Sequence, residues 1–579
     1  MSNQSKANKL LEGMLGVAQL QEKPPGLRGI LQTKNYSDFI ILSDGGDELH
    51  RFSGAKLANK CLPGDHVYWN EGKCHLELHD SHPPIVGTVE LVNKSKYGLT
   101  SRGIPIYLFT PYNKSYPHFI VGCSEKDVSK NRIGLVNFDD WATSSTFPRG
   151  QLQQLLGVSG DFEAEKEALI WQACPWKHPK GSYIPEVKES ITVIRKELTG
   201  FTFNIDPKGC KDVDDVLTFE EVKSDTWRVS ITISDVAAYI EEENPVDIYA
   251  SLIGQTLYAP DGTPLRSMLP KEYSEESCSL LPNKTSIGIT LQFIWNGKEI
   301  TDKQWFESIL KTDKSYTYEE FQESDSPYKE PLASIANYLA KGECPGQGDS
   351  HKWIEQCMLF YNKEAGQILK NKGMGILRRH SSPNLEKLEK YRSNNIPDLE
   401  KLAFSAAEYC LAEELETRHF GLESDNYAHT SSPIRRYADL VNQRVLKLYI
   451  RKSQRRHIVP ITMYDMNYRM KLNKNYSRDL DFLTAISTIS AISAASETRF
   501  KGIIIDKKIA EEGQLKLKIY VPVWKRTVSA KYKMVNENIV LSRDEKREID
   551  VSDLREVELT CAVNINSRNW KERIIINIS

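Results

Sequence analysis

The hydrophobic period of this chain changes twice, and that limits it to β structure at both ends with mixed α/β structure between them. From about Gly29 to Leu78, apolar and polar residues alternate in short runs (GILQTKNYSDFIILSDG, HRFSGAKL, GDHVYWNEGKCHLEL) punctuated by Asp-Gly, Asn-Glu-Gly and Pro-Gly-Asp. A period of two cut by turn residues reads as consecutive strands, and this spacing suits a small five-stranded barrel. A second such run starts near Pro84 (IVGTVELV, YLFTPY, HFIVGCS, RIGLVNFDDW). From about Gly150 the chain reads as helical and charged (GQLQQLLGVSGDFEAEKEALIWQAC), and a Pro-rich stretch, CPWKHPKGSYIPE, marks a boundary. Between about Ser190 and Ala495, strand-like alternation in GFTFNID and WRVSITISDV is joined by helical spacing that puts Ile354, Cys357, Met358, Tyr361, Ala365 and Ile368 on one face. Beyond AISTISAISAAS the alternating runs return (FKGIIID, KLKIYVPVW, VELTCAVN, ERIIINI) as a third candidate barrel. The expected domains are 1–82, 83–189, 190–495 and 496–579.

A chain of 579 residues exceeds what one hydrophobic core sustains, so several domains are required. No run approaches the roughly 18 apolar residues of a membrane span, and MSNQSKANKL has no apolar stretch behind its positive charge. The ten cysteines are scattered singly, which fits neither a zinc knuckle nor a disulfide framework. A soluble, reduced, cytoplasmic setting follows, with nucleus or organelle still open. The net charge of -2 does not decide the partner, because nucleic-acid affinity depends on where Lys and Arg cluster.

Two segments carry chemistry. FNIDPKGCKDVDDVLTF gathers Asp206, Asp212, Asp214 and Asp215 on a Pro-Gly loop between two alternating segments. Such crowded carboxylates are either a solvated acidic turn or a pocket neutralised by a cation. Oxygen-only donors match Mg²⁺, which takes one or two carboxylates plus phosphate oxygens; the register does not match a calcium loop. In YAHTSSPIRRYADLVNQRVLKLYI, helical spacing from Tyr437 with Ser432 as N-cap and Pro433 as first helical residue predicts a helix start that carries Arg435 and Arg436. Cations there fit an anion held by free N–H groups and a guanidinium, or else a pairing with acidic neighbours.

Together DPKGCKDVDD and HTSSPIRRYADL resemble the two signatures of the ribonuclease II (RNB) family of 3′–5′ exoribonucleases. The likeness extends to LYAPDGTPLRSMLPKEYSEESCSLLPN, to GILRRHSSPN and to the β ends, where that family has OB-type barrels, and it is nearer the eukaryotic, exosome-related branch. The resemblance implies an α+β multidomain fold: two N-terminal OB-fold, cold-shock-type barrels, a central α/β catalytic domain and a C-terminal OB-type barrel. No further nuclease-like domain is expected before the barrels. It also implies hydrolysis of single-stranded RNA, in a processive manner, to nucleoside 5′-monophosphates with two Mg²⁺ ions, Mn²⁺ being a substitute. Asp206 and Asp215 would bind metal directly, Asp212 would add to or organise that set, and Asp214 would matter most for the chemical step. Arg435 would hold a phosphate, Tyr258 would stack on the terminal base or serve as a strand-end core residue, and Arg436, His429, Arg378 and Arg379 would line the RNA path. A monomer, alone or within a larger RNA-decay complex, is the expected state; the alternative is a weak or inactive RNA-binding regulatory protein. Three departures stand out: Thr232 and Gln443 occupy positions where relatives often carry His, and Met374 replaces a base-clamping aromatic, which puts the length of the end product in doubt. In the last barrel, Trp524 and Tyr532 among KGIIIDKK and VWKRTVSAKYK fit an RNA-contacting face or a solvated surface.

Overall fold

The computed structural model describes residues 26–43, 45–78, 82–93, 97–187, 193–341, 349–492, 499–510 and 513–578. The N-terminal tail and the expected boundaries near 189 and 495 lie outside the described residues. Among those described, no helix is long and apolar enough to cross a membrane, and the nine described cysteines are free thiols, buried or half-buried.

The chain divides into two compact units. The first takes the described parts of Met1–His82, Lys114–His118 and Asp139–Arg149. It is built on an antiparallel five-stranded sheet with Leu27–Thr33 at its centre, flanked by Asp38–Leu42 and His66–Asn70, and with Glu48–Ser53 and Lys73–Leu78 at the edges. The alternation seen in the sequence points Leu31, Phe39, Ile41 and Val67 into one fully buried core.

The second unit begins with a closed barrel of Ile85–Val89, Ile106–Pro111, Phe119–Gly122, Arg132–Asp140 and Arg149–Val158. The last strand corrects the helical reading of residues 150–158. Leu152, Leu155 and Leu156 have helical spacing, but the ladder left open by four strands recruits the segment as the fifth. A Cβ at Gly150 would come within 2.3 Å of Val136 Cγ1, so the closure also depends on that glycine. Helix α1 (Phe162–Ala173) starts only after Asp161, whose carboxylate accepts the Ala164 N–H at 2.9 Å.

The central sheet has seven strands: β1 (Lys196–Glu197), β2 (Phe201–Asp206), β3 (Asp215–Lys223), β4 (Thr226–Ser234), β5 (Thr285–Trp295), β6 (Ile300–Lys311) and β7 (Lys314–Thr317). Their order is β1-β6-β5-β4-β3-β2-β7, with β1 parallel to β6 and β7 parallel to β2. Phe203, Phe219 and Phe293 pack from this sheet against Trp353 and Tyr361 of α2 (Ser350–Lys372). That helix buries Ile354, Cys357, Tyr361 and Ala365 as the spacing predicts, whereas Leu369 takes the buried place expected for Ile368. Helices α3 (Tyr437–Ile450) and α4 (Met463–Ile492) join the sheet to the C-terminal strands. Those strands form an antiparallel seven-stranded sheet of Arg499–Ile509, Gln514–Val521, Arg526–Asn536, Ile539–Leu541, Glu548–Asp550, Glu556–Val563 and Ile574–Ile578. Trp524 and Tyr532 are buried here, Tyr532 accepting the Ile578 N–H at 2.9 Å, so neither ring offers a stacking surface. Burial of large rings is the stronger drive, while neighbouring lysines such as Lys531 and Lys533 stay in solvent.

One glycine sets how closely the chain ahead of α3 can approach α2. A Cβ at Gly366 would lie 2.7 Å from the Asn426 carbonyl oxygen and 3.0 Å from the Ala428 nitrogen, both backbone atoms. Gly366→Ala is expected to lower stability by about 1–3 kcal/mol through overpacking, read as a lower denaturant midpoint with an unchanged m-value.

Candidate active site

Asp206 is the last residue of β2 and Asp215 the first of β3, so the antiparallel pairing of these strands brings both to one end of the sheet. The connection turns at Pro207, whose carbonyl accepts the Cys210 N–H at 3.0 Å, and at Gly209, with φ +81°. Asp206 is in register with Thr317 of β7 and Asp215 with Ile233 of β4, while the Asp214 carbonyl accepts the Ser234 N–H at 2.9 Å. The acidic segment is therefore a sheet-anchored bend, not a free turn.

The four carboxylates have different surroundings. Asp206 accepts a hydrogen bond from Asn204 Nδ2 at 2.8 Å. Burial raises its pKa, and the Asp212 charge adds to that against the pull of Asn204 and Arg435. Burial pushes Asp215 well above the ordinary carboxylate range, reinforced by Asp206 and Asp214. Asp212 accepts the Tyr258 hydroxyl at 2.5 Å, and that contact, after burial, raises the phenol's pKa. Asp214 is buried, with Oδ1 accepting the Ile434 N–H at 3.0 Å and Oδ2 accepting Arg435 Nε at 2.9 Å. Burial lifts its pKa to about 7 even against Arg435 and Ile434.

The arginine segment differs from its predicted form. Helix α3 begins at Tyr437, four residues after the expected first helical position, and Ser432 is not its N-cap. Residues 433–435 form a turn in which the Ser432 carbonyl accepts the N–H groups of Arg435 (3.2 Å) and Arg436 (3.0 Å). Arg436 is extended and bridges to Gln255; Thr256 N–H donates to the Arg435 carbonyl and Tyr437 N–H to that of Gly254, each at 2.9 Å. Backbone pairing with residues 254–256 thus overrides helix propensity. An anion does occupy the free N–H and guanidinium, and it is the chain's own Asp214.

The other sequence-predicted residues divide by exposure. Arg435 keeps 44% of its side chain accessible, and its second contact is Nη2 to Ser432 Oγ at 3.0 Å. Arg436 is drawn to buried Asp439 at 2.7 Å. Arg379 is held between Glu408 (2.8 Å) and Glu414 (2.6 Å). Arg378 lies over the Tyr409 ring at 5.3 Å and reaches Met470 Sδ. His429 Nδ1 faces the Tyr409 hydroxyl at 2.8 Å. Thr232 is a core residue bonded to Thr290, and Gln443 ties α3 to Ser234 and Ala237. Met374 packs beside Leu369, Leu377 and Val445.

Burial, with Arg436 and Arg378 nearby, depresses His429 well below its ordinary pKa, so it is neutral in the fold. The unfolded chain then binds one more proton than the folded one between that depressed value and the ordinary value near 6.5. This contribution to stability is complete above the ordinary value and is lost as pH falls below it. The slope of unfolding free energy against pH below about 6.5 is expected to shrink by up to about 1.4 kcal/mol per pH unit in His429→Gln, measured by urea unfolding across pH.

Sequence reading missed Tyr318, which follows β7 and stacks on His351 with ring centroids 3.8 Å apart. The residue before it, Thr317, is in register with Asp206, and burial, then the Asp215 and Asp206 charges, push its phenol up to about 12. Only the parallel β2–β7 register, bridging more than a hundred residues, could have revealed this.

Among the described residues no three His, Cys, Asp or Glu side chains converge as a ready metal cage. The donor chemistry still fits one divalent hard cation: Asp206 and Asp215 are two half-buried carboxylates whose charged forms desolvation and neighbouring aspartates disfavour, and Mg²⁺ uses few protein oxygens and keeps several waters.

Residues 195–337 and 326–452 match the RNB domain, and residues 106–173 match the Dis3-like cold-shock domain 2. The RNB match spans both the carboxylates and the arginines. The central part of this chain is an RNB domain. Its relatives include the mouse exosome complex exonuclease RRP44, 24% identical over 429 residues that make up 59% of this chain and 44% of that protein. The chain thus spans less than half the length of that curated relative. The RNB fold recurs in Mycoplasma genitalium RNase R in complex with ribose-methylated single-stranded RNA (TM-score 0.69, 16% identity, 96% of this chain and all of that one). It recurs too in yeast Ssd1, described as a pseudonuclease (TM-score 0.67, 17% identity, 96% and 83%).

Proposed function

We propose that this chain, through its RNB domain, hydrolyses single-stranded RNA from its 3′ end, one nucleotide at a time, releasing nucleoside 5′-monophosphates. The reading rests chiefly on one observation: the β2–β3 bend carries four aspartates at one end of the sheet, where the half-exposed Arg435 side chain reaches Asp214. Asp206 and Asp215, with Asp212 beside them, are assigned as holders of one or two Mg²⁺ ions, for which Mn²⁺ can substitute. When bound, the metal supplies charge neutralisation and an acidified water. Asp214 orients Arg435 by the Oδ2 contact and fixes the turn through Ile434, leaving the guanidinium N–H groups that neither Asp214 nor Ser432 takes for a phosphate whose charge grows during displacement. Tyr258 is assigned to the terminal nucleotide, its ring set by the hydroxyl bond to Asp212. Arg436 acts at one remove, because its partner Asp439 also accepts the Ser432 N–H and so braces the turn that carries Arg435, while Arg378, Arg379 and His429 are assigned to the RNA path. We assign the chain as a monomer, able to dock on a larger decay assembly.

The test uses 5′-labelled single-stranded RNA and DNA of equal sequence, with and without Mg²⁺. Stepwise shortening of the RNA alone, dependent on Mg²⁺ and accompanied by 5′-monophosphates, is expected. Internal cuts, or equal attack on DNA, would overturn the assignment. A second reading, RNA binding without hydrolysis, is favoured by the direct Asp214–Arg435 ion pair and by the lack of a three-ligand cluster among the described residues. Tight binding with no shortening in either metal would establish it.

A further inference from the structure

Asn204 lies two residues before Asp206 on β2, so the two side chains share one face of the strand, while Phe203 and Ile205 pack into the aromatic core on the other. Asparagine is depleted from strands, and this one is buried, with 4% of its surface exposed. Both ends of its amide are satisfied: Nδ2 donates to Asp206 Oδ2 at 2.8 Å, and Oδ1 accepts the Ser315 hydroxyl at 2.6 Å. Ser315 sits opposite Asn204 in the parallel β2–β7 register.

The amide can stand only one way round. An ionised carboxylate only accepts, so the NH₂ end faces Asp206, and the carbonyl end then faces Ser315, whose hydroxyl donates. Ser315 thus fixes Asn204, and Asn204 fixes Asp206. The consequence falls on the two oxygens of Asp206. Oδ2 is held by an N–H hydrogen that repels a cation. The other side-chain donor, the Cys210 thiol, is a weak one shared with Asp212, 3.6 Å from Asp212 Oδ1. A cation therefore meets Asp206 through one oxygen, not two.

We infer that Asn204, oriented by Ser315, sets the choice of ion at the acidic bend: it keeps Asp206 a one-oxygen ligand and so shifts the site toward Mg²⁺ and away from Ca²⁺. Mg²⁺ demands a near-ideal octahedron at about 2.0–2.1 Å, which the narrow bite of a chelating carboxylate strains, whereas Ca²⁺, at about 2.3–2.6 Å, takes more oxygens and accepts chelation. A carboxylate held at one oxygen deprives Ca²⁺ of a ligand atom and Mg²⁺ of none. Asn204 is a positioning residue, acting through Asp206. The inference rests on the metal assignment proposed above for Asp206 and deepens it.

The test is metal binding by the full chain without RNA. Free Mn²⁺ is followed by electron paramagnetic resonance, and the binding lost in Asp206→Asn defines the site; Mg²⁺ and Ca²⁺ are then titrated against that Mn²⁺. The readout is the ratio of the Ca²⁺ and Mg²⁺ concentrations that displace half of it. In Asn204→Ala this ratio is expected to fall at least about fivefold, the worth of one hydrogen bond, and in Ser315→Ala to fall in the same direction by less. Ser315 is exposed, so its variant carries the test if Asn204→Ala does not fold. An unchanged ratio in either folded variant, including equal weakening of both ions as loss of support alone would give, would overturn the inference and leave the metal assignment standing. No Asp206-dependent Mn²⁺ binding in the wild-type chain would remove that assignment, and this inference with it.

Discussion

Asp214→Asn is expected to cut mononucleotide release by about 10²–10³-fold while the protein stays folded and still binds RNA. Asp214 sits buried between the Ile434 N–H and Arg435 Nε, and burial already lifts its pKa to about 7. A neutral amide of the same shape can still accept the Ile434 N–H, so the backbone turn survives. What it cannot do is hold the guanidinium by charge. Arg435 then loses its fixed direction, and a stabilising donor that is misaimed when charge develops costs rate more than affinity. The checks are single-turnover kinetics, a thermal melt and an RNA-binding isotherm on the same preparation. A drop in RNA affinity matching the drop in rate would instead make Arg435 a plain anchor for the strand.

The largest expected effect on stability comes from Asp235→Asn, at about 3–5 kcal/mol, read as a lower denaturant midpoint. Asp235 is fully buried and takes Lys447 Nζ at 2.8 and 2.9 Å and Arg195 at 2.6 Å. Glu307 extends the network to Arg451 at 2.5 Å. Burial alone would raise the Asp235 pKa, but Lys447 and then Arg195 outweigh it and hold the carboxyl below its ordinary range. Its stabilisation is therefore present above the ordinary carboxylate pKa and is lost as pH falls through the depressed one. Asp235→Asn should accordingly remove part of the acid-induced loss of stability expected below about pH 4. This network matters to the site because Lys447 lies on α3, the helix that directly follows Arg435 and Arg436.

Much of the fold was legible because burial imposes its period on the text. The alternation of Leu31, Phe39, Ile41 and Val67, and the 3.6-residue spacing of Ile354, Cys357, Tyr361 and Ala365, survive intact in the structure. Residues 150–158 were misread because three leucines at helical spacing carry no information about a barrel that lacks a strand. Trp524 and Tyr532 were misread because a lysine-rich context says nothing about which way a ring faces. At the site, the grouping of four aspartates and the presence of Arg435 could be read directly. Tyr318 could not, since its neighbours come from β2 and β3, far away in the chain.

By itself, then, the order of residues determined the β, α/β, β plan, the acidic bend and the arginine pair just ahead of a helix, because period and local crowding of charge are properties of neighbours in sequence. Tertiary structure alone decided the partners. Asp214 meets Arg435 across 221 positions, and α3 starts at Tyr437 because residues 254–256 compete for its first turn. Arg573 ends with one donor unmet because Glu165 and Ser159 satisfy only its other nitrogens. The physical reason is the same in each case: a hydrogen bond or ion pair is worth most where water is excluded, and which groups share a dry interior is settled by the packing of distant segments.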